Sequence, residues 1–404
     1  MAQRDQTLDF IKGFGCLLMV FSHSRVLSPT TATFLAAWCG LFFGGFAPVF
    51  FYSVSGIVNA LQARRYPLRY FAIFAALFAL YGLTYNTLWR PDILHNLASD
   101  IPQFAAFMIL TTVIIEKVSS RAIVGYGVAI FVILGLHYGL EPYLPPFPGR
   151  QFLFIPGVFP IIPWLIFPYL GNVAYRLSDR AVKIIALLLT TTTAGTLVVA
   201  LGILHYSGSW FEKNWHAKYS MPFGYLLIAL SLQFLLFTAV RMWPVRFTHP
   251  IVEYVGRNSF PFLFLHIFWI RLFMALHVYH PAIVWPSVLV LTLLAMYVVD
   301  SLNSKYLARL FTSPYAWGGL LVVLLANVAM LNDHAYALVM SGLTLLFGTI
   351  RTFPAHLNVY LMSIIGVLFA YNYHALARII KGLVMPHVPA PREVIAAPLP
   401  VGQE

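Results

Sequence analysis

Charge is what this chain has little of. Only 9% of its 404 residues are Asp, Glu, Lys or Arg, while 60% are hydrophobic. A soluble domain carries about 25% charged residues, and a water-soluble fold of this size cannot hide so much apolar surface. The shortage excludes an ordinary soluble enzyme and makes lipid the natural solvent. Cysteine is nearly absent as well. Cys16 and Cys39 cannot build a disulfide framework and read as packing residues inside or beside apolar runs. HExxH, GxSxG, Walker and paired-cysteine motifs are all missing, so no metal site is expected and a zinc enzyme or NTP-driven pump is disfavoured. The sequence also lacks a soluble domain, a low-complexity tract and a clear internal repeat.

Long apolar runs fill the chain instead. They fall at 8–27, 41–61, 69–88, 101–116, 121–140, 152–176, 183–205, 221–241, 259–278, 283–301, 315–332, 335–350 and 356–377. A helix of about 20 such residues crosses a bilayer, and the links between them carry Pro, Gly or charge, as turns do. The expected fold is all-α: a polytopic membrane helical bundle with a core of about ten helices and two or three more at the C-terminal end. The first run reads as a retained signal anchor. Its leader, MAQRDQT, is not net basic, Lys12 interrupts it, and no small-x-small cleavage site follows. The closing HVPAPREVIAAPLPVGQE reads as a disordered tail.

The net charge of +12 invites nucleic acid as a partner until the charges are located. With the N-terminus in the cytoplasm, one set of alternating links holds most of the basic residues, among them Arg64, Arg65, Arg69, Lys117, Arg176, Lys183 and Arg241. The opposite links hold few. This is the positive-inside bias of a cell-membrane protein, and nucleic acid drops out. Thirteen alternating spans leave Arg378 and Lys381 on the wrong side, so one C-terminal span is expected to be miscounted or re-entrant.

The first run, DFIKGFGCLLMVFSHSR, carries ionisable groups that hydrocarbon disfavours. Lys12 and His23 are eleven positions apart. At 100° per residue both leave one helical face, about 16 Å apart along the axis. Asp9 lies one turn below Lys12 on nearly the same stripe, where it can pair with it. Gly13 and Gly15 add a smooth patch for close helix contact. A histidine near neutral accepts a proton from a hydroxyl or amine. A cation at the cytoplasmic mouth suits a phosphate-bearing ligand. The plainer alternative makes Asp9 and Lys12 interfacial anchors and gives His23 a neighbouring carbonyl.

These residues resemble the integral-membrane acyltransferases of the acyltransferase-3 superfamily and of the heparan-α-glucosaminide N-acetyltransferase type. In that pattern an Arg is followed by ten residues and a His; here Lys12 and His23 occupy the two positions within LDFIKGFGCLLMVFSH. FAPVFFYSVSGIVNALQARR (46–65) is similar to the second helix of the pattern. FPIIPWLIFPYLGNVAYRL (159–177) resembles a later one, with Asn172 and Ala174 departing from it. VGRNSFPFLFLHIF (255–268) resembles a late helix in which Leu263 replaces Tyr. The resemblance spans residues 1–303 as an acyltransferase-like core; 304–380 read as additional transmembrane helices and 381–404 as the tail.

The resemblance implies transfer of an acyl group, acetyl in the commonest case, from cytoplasmic acyl-CoA to an extracytoplasmic glycan or glycolipid acceptor. Acyl-CoA is then a donor substrate, and no cofactor is bound. His23 takes the catalytic position. Lys12, Ser55, Asn59, Arg64 and Arg65 take the donor side, unless the serine is a helix contact and the arginines only set topology. His266 and Asp9 are candidates for a cavity wall. On the outer links, Trp210, Trp215 and Asp92 either receive the acceptor or belong to the interfacial aromatic belt and a polar loop. A secondary transporter also wants buried ionisable groups in a bundle, and a scaffold without chemistry leaves the Lys12–His23 stripe unexplained.

Overall fold

The computed structural model describes residues 5–24, 34–89, 99–154, 158–205, 210, 213–214, 217–244, 249–276, 278, 281–330 and 353–385. Among them every regular element is helical. The first half holds α1 (Gln6–Ser24), α2 (Phe34–Ala63), α3 (Leu68–Tyr81), α4 (Leu83–Trp89), α5 (Ile101–Val118), α6 (Ala122–Leu134) and α7 (Ile166–Arg176). The second holds α8 (Asp179–Leu197), α9 (Phe223–Met242), α10 (Pro250–Arg257), α11 (Ser259–Ala275), α12 (Pro281–Leu302), α13 (Pro314–Met330) and α14 (Phe353–Val384). Single π-helical stretches prolong α6, α8 and α12 at Gly135–Leu140, Val198–Ile203 and Asn303–Leu307.

Among the described residues, eight helical stretches are long and apolar enough to cross a membrane. The chain is therefore a polytopic membrane bundle, as its composition implies. Burial separates its layers. The α2 stretch Gly44–Ala63 is 78% buried, whereas the stretches of α6 and α8 are 17% buried each. So α2 is central, and α6 and α8 turn large apolar side chains such as Phe131, Leu187 and Ile203 outward. In water that surface is costly; in hydrocarbon it is matched.

Small residues set the closest crossings. Gly56 of α2 lies against Pro168 of α7, and Gly171 of α7 lies against the Ser53 backbone, so that a Cβ at either would overlap its neighbour. Ser53 spends its hydroxyl on the carbonyl of Val49 at 2.5 Å, inside this crossing. Gly13 of α1 meets Gly256 of α10 in the same way, the close contact expected of its patch.

Proline and glycine redraw some expected spans. The run 69–88 is two helices, broken at Gly82, where the Pro102 ring fills the space a side chain needs. The run 152–176 is not one span. A single turn at Ile161–Trp164 precedes α7, with Pro160 and Pro163 supplying no backbone donors. The link 242–257 contains α10, whose faces are too short and polar to register as an apolar run. The last helix reaches Val384 and so takes in the first residues assigned to the tail. The expected span 335–350 and the rest of the tail lie outside the described residues.

Ion pairs tie the basic ends together. Glu116 at the end of α5 receives Arg176 of α7 and lies 3.8 Å from Arg64 at the end of α2. Arg241 of α9 pairs with Asp179 of α8 at 3.2 Å and donates to the carbonyls of Ala174, Tyr175 and Leu177, capping α7. Arg69 of α3 donates to the Val384 carbonyl at the end of α14. The last contact places the basic end of α14 with the other basic ends. Strict alternation of thirteen spans had put it on the opposite side.

Candidate functional site

His23 closes α1 and His266 lies in the middle of α11. Their rings meet: His23 Nδ1 is 2.8 Å from His266 Nε2. The planes differ by 8° and the centroids are 5.1 Å apart. That separation belongs to two imidazoles touching edge to edge in one plane, so the contact is a hydrogen bond along the ring plane.

The network sets the protons. His266 Nδ1 lies 2.8 Å from the carbonyl oxygen of Phe262, one turn back on α11. A carbonyl only accepts, so Nδ1 of His266 carries a hydrogen. In the neutral ring with its hydrogen on Nδ1, Nε2 carries the lone pair and is an acceptor. His23 Nδ1 must donate to it. The neutral tautomer of His23 therefore keeps its lone pair on Nε2. Two histidines and one helix carbonyl thus orient a base, in the way a partner on one ring nitrogen generally fixes the role of the other.

Near this end of α1, Lys218 Nζ lies 3.4 Å from Ser22 Oγ, which brings the link before α9 against the residue preceding His23. Trp210, in the same link, is partly buried against the core, and its carbonyl accepts from Asn214 Nδ2 at 2.9 Å. Trp215 and Asp92 lie outside the described residues.

A cavity of about 480 Å³ opens at the other end of α1. Lys12, Ser55, Asn59 and Arg65 all line it, so four of the five residues assigned to the donor side share one wall. Lys12 Nζ sits 5.1 Å above the Phe51 ring, a favourable placement for a cation in apolar surroundings. Arg64, the fifth, turns toward Glu116 and does not line the cavity. Asp9 and His266 do not line it either; Asp9 is buried at the α1–α10 crossing. His23 also lies beyond its walls. The cavity and the histidine pair are thus two sites joined by one helix, about 16 Å apart along its axis.

The cavity also gathers His374, Arg378 and Lys381 of α14, to which the reading of the sequence gave no place in a site. Their signal was present. The spacing i, i+4, i+7 puts them on one face of an otherwise apolar run. Among the described residues, no three His, Cys, Asp or Glu side chains come together as a metal-ion donor set. Comparisons with protein-family models, with curated proteins and with solved structures return no match.

Proposed function

We propose that the protein is a membrane acyltransferase, moving an acyl group from cytoplasmic acyl-CoA to an extracytoplasmic carbohydrate acceptor. One observation carries the reading: α1 bears Lys12 in the wall of a cationic cavity and, on the same face, His23 held with its lone pair on Nε2. On the positive-inside rule we assign the cavity end, with the N-terminus, to the cytoplasmic side of an inner (cytoplasmic) membrane. The link carrying Trp210 and Lys218 then faces outside.

The chemistry follows from the tautomer. An acceptor hydroxyl or amine attacks the thioester carbonyl while His23 Nε2 takes its proton. The new bond forms at carbon, the carbon–sulfur bond breaks, and the thiolate leaves with the proton that His23 held. The pair ends as it began. While His23 is protonated, its Nδ1–H bond to His266 becomes charge-assisted and stronger. His266 is therefore a positioning residue that also stabilises the transient imidazolium. The acyl-bearing arm reaches His23 along α1 while the charged end stays at the basic mouth, because phosphates avoid hydrocarbon.

The test offers acetyl-CoA and amine or hydroxyl acceptors to detergent-purified protein and follows thiol release and acylated product by mass. Acceptor-dependent thiol release is expected. Solute uptake into sealed vesicles with no thiol release would replace the reading with transport.

A further inference from the structure

The cavity has a wall that the resemblance to acyltransferases does not cover. Tyr373, His374, Ala377, Arg378 and Lys381 of α14 form one side of it. Lys12 and Arg65 form the other, so four permanent cations line one space, and among the described residues no carboxylate lines it. Like charges gathered beside low-dielectric walls repel one another, and an anion carrying several charges relieves that repulsion. Surface scatter does not explain the gathering, since the four come from α1, from α14 and from the turn that follows α2.

The remaining lining fits the other half of such a ligand. Tyr66, Tyr70, Phe71 and Phe74 make an aromatic bank. Tyr66 and Tyr70 lie 4.7 Å apart at 30°, and Lys381 Nζ stands 5.8 Å from the Tyr66 ring. Asn59, Gln62 and Ser259 add neutral hydrogen-bonding groups. Cations for phosphates, rings for a flat base and a volume of about 480 Å³, within the usual range of small-molecule sites of roughly 300–1,000 Å³, together describe a nucleotide-like polyphosphate.

α14 is built to hold this wall still. A Cβ on Gly366 would overlap the Phe264 ring of α11, so the two helices pack without a gap. Asn372 and Asn303 exchange amide hydrogen bonds at 2.8 and 3.3 Å. Tyr371 donates to the Met296 carbonyl at 2.9 Å, and Arg69 holds the last carbonyl of the helix.

The geometry points to α14 as part of the donor site: Arg378 and Lys381, with Lys12 and Arg65, cradle the phosphates of the nucleotide end of CoA, and the Tyr66–Tyr70 bank receives its base. This rests on the acyl-CoA reading above. The shared chemistry is a ligand with at least two phosphates, so an anionic lipid headgroup is the competing source.

The experiment uses the full chain in nanodiscs of phosphatidylcholine. Equilibrium binding is measured for CoA, for CoA lacking its 3′-phosphate, and for pantetheine, which has no phosphate. Phosphatidylglycerol is added in a parallel arm. Arg378→Ala/Lys381→Ala is compared with Arg378→Lys/Lys381→Arg, which keeps both charges, and with Arg180→Ala/Lys183→Ala on the same end but outside the cavity. The alanine pair should weaken CoA about 10- to 100-fold, lose part of the preference for the 3′-phosphate, and leave pantetheine unchanged. The charge-keeping and control pairs should bind CoA within a few-fold of wild type. Wild-type CoA binding that the alanine pair leaves intact overturns the role of α14 and spares the acyl-CoA reading. Wild-type protein that ignores CoA overturns both. Competition by phosphatidylglycerol that disappears in the alanine pair assigns the cradle to lipid and overturns the nucleotide assignment.

Discussion

Gly13 of α1 and Gly256 of α10 meet backbone to backbone. A Cβ at Gly13 would overlap the Val252 carbonyl oxygen and stand 2.9 Å from the Gly256 nitrogen. One at Gly256 would overlap the Asp9 carbonyl oxygen. The crossing lies one residue from Lys12, so it also fixes the height at which that cation enters the cavity. Neither contact ends in a flexible side chain that can step aside. Gly13→Ala and Gly256→Ala should each destabilise the protein by at least about 1–3 kcal/mol, the usual range for overpacking. Gly127→Ala and Gly318→Ala, where nothing lies within 4 Å, should be neutral. Thermal unfolding in one detergent compares all four; equal midpoints would remove the crossing as a constraint.

His23→Ala should lower transfer by about 10²–10⁴-fold, the usual contribution of a general base, and cost stability no more than the roughly 1–3 kcal/mol of leaving the buried His266 acceptor unpaired. Activity within a few-fold of wild type removes His23 from the mechanism. In the wild type the base works only when neutral. Lowering the pH adds a proton and removes the lone pair, so the rate should fall toward acid pH. Residual activity of the alanine variant should lack that acid limb.

His266 acts through His23. His266→Gln keeps a side-chain acceptor near the position of Nε2 and should retain part of the activity, whereas His266→Phe leaves His23 Nδ1 without that acceptor. The phenylalanine variant should lose turnover, shift the acid limb of the pH–rate profile and leave the donor Michaelis constant near its wild-type value. An unchanged pH profile with a raised Michaelis constant would mean that His266 only shapes the binding site.

Much of this was legible because it is local. Lys12 and His23 share a helix, so their spacing fixes their common face. Ser55, Asn59 and Arg65 follow one another along the end of α2, and the cavity gathers them with Lys12. The pairing of His23 with His266 was not legible, because 243 positions separate them and helical periodicity has no bearing on which helices become neighbours. Arg64 and Arg65 look equivalent as a dipeptide. Only the fold shows that Glu116 draws Arg64 away. The share of α14 was hidden for a third reason: counting apolar runs decides sidedness by parity, and a single misassigned run reverses every later helix.

Lys12→Ala should raise the donor Michaelis constant more than it lowers turnover, by the equivalent of roughly 1.5–3 kcal/mol for one charge-assisted contact. Lys12→Arg should be tolerated, since a guanidinium keeps the charge and its place over an aromatic ring. Donor affinity unchanged in the alanine variant would reduce Lys12 to an interfacial anchor.

Sidedness decides whether the two sites serve one reaction across the membrane. Arg65 lies at the cationic mouth, while Tyr219 is exposed in the link whose Lys218 reaches Ser22 beside His23. If the basic links face the cytoplasm, cysteines placed at Arg65 and at Tyr219 must react from opposite sides of sealed cells. The experiment first replaces Cys16 and Cys39. A membrane-impermeant maleimide should then label Tyr219→Cys in intact cells and Arg65→Cys only after the membrane is opened. CoA should protect the second site and not the first, because the phosphates stay at the basic mouth. Labelling of both cysteines from one side would overturn the assigned topology, and with it transfer of the acyl group through the bundle.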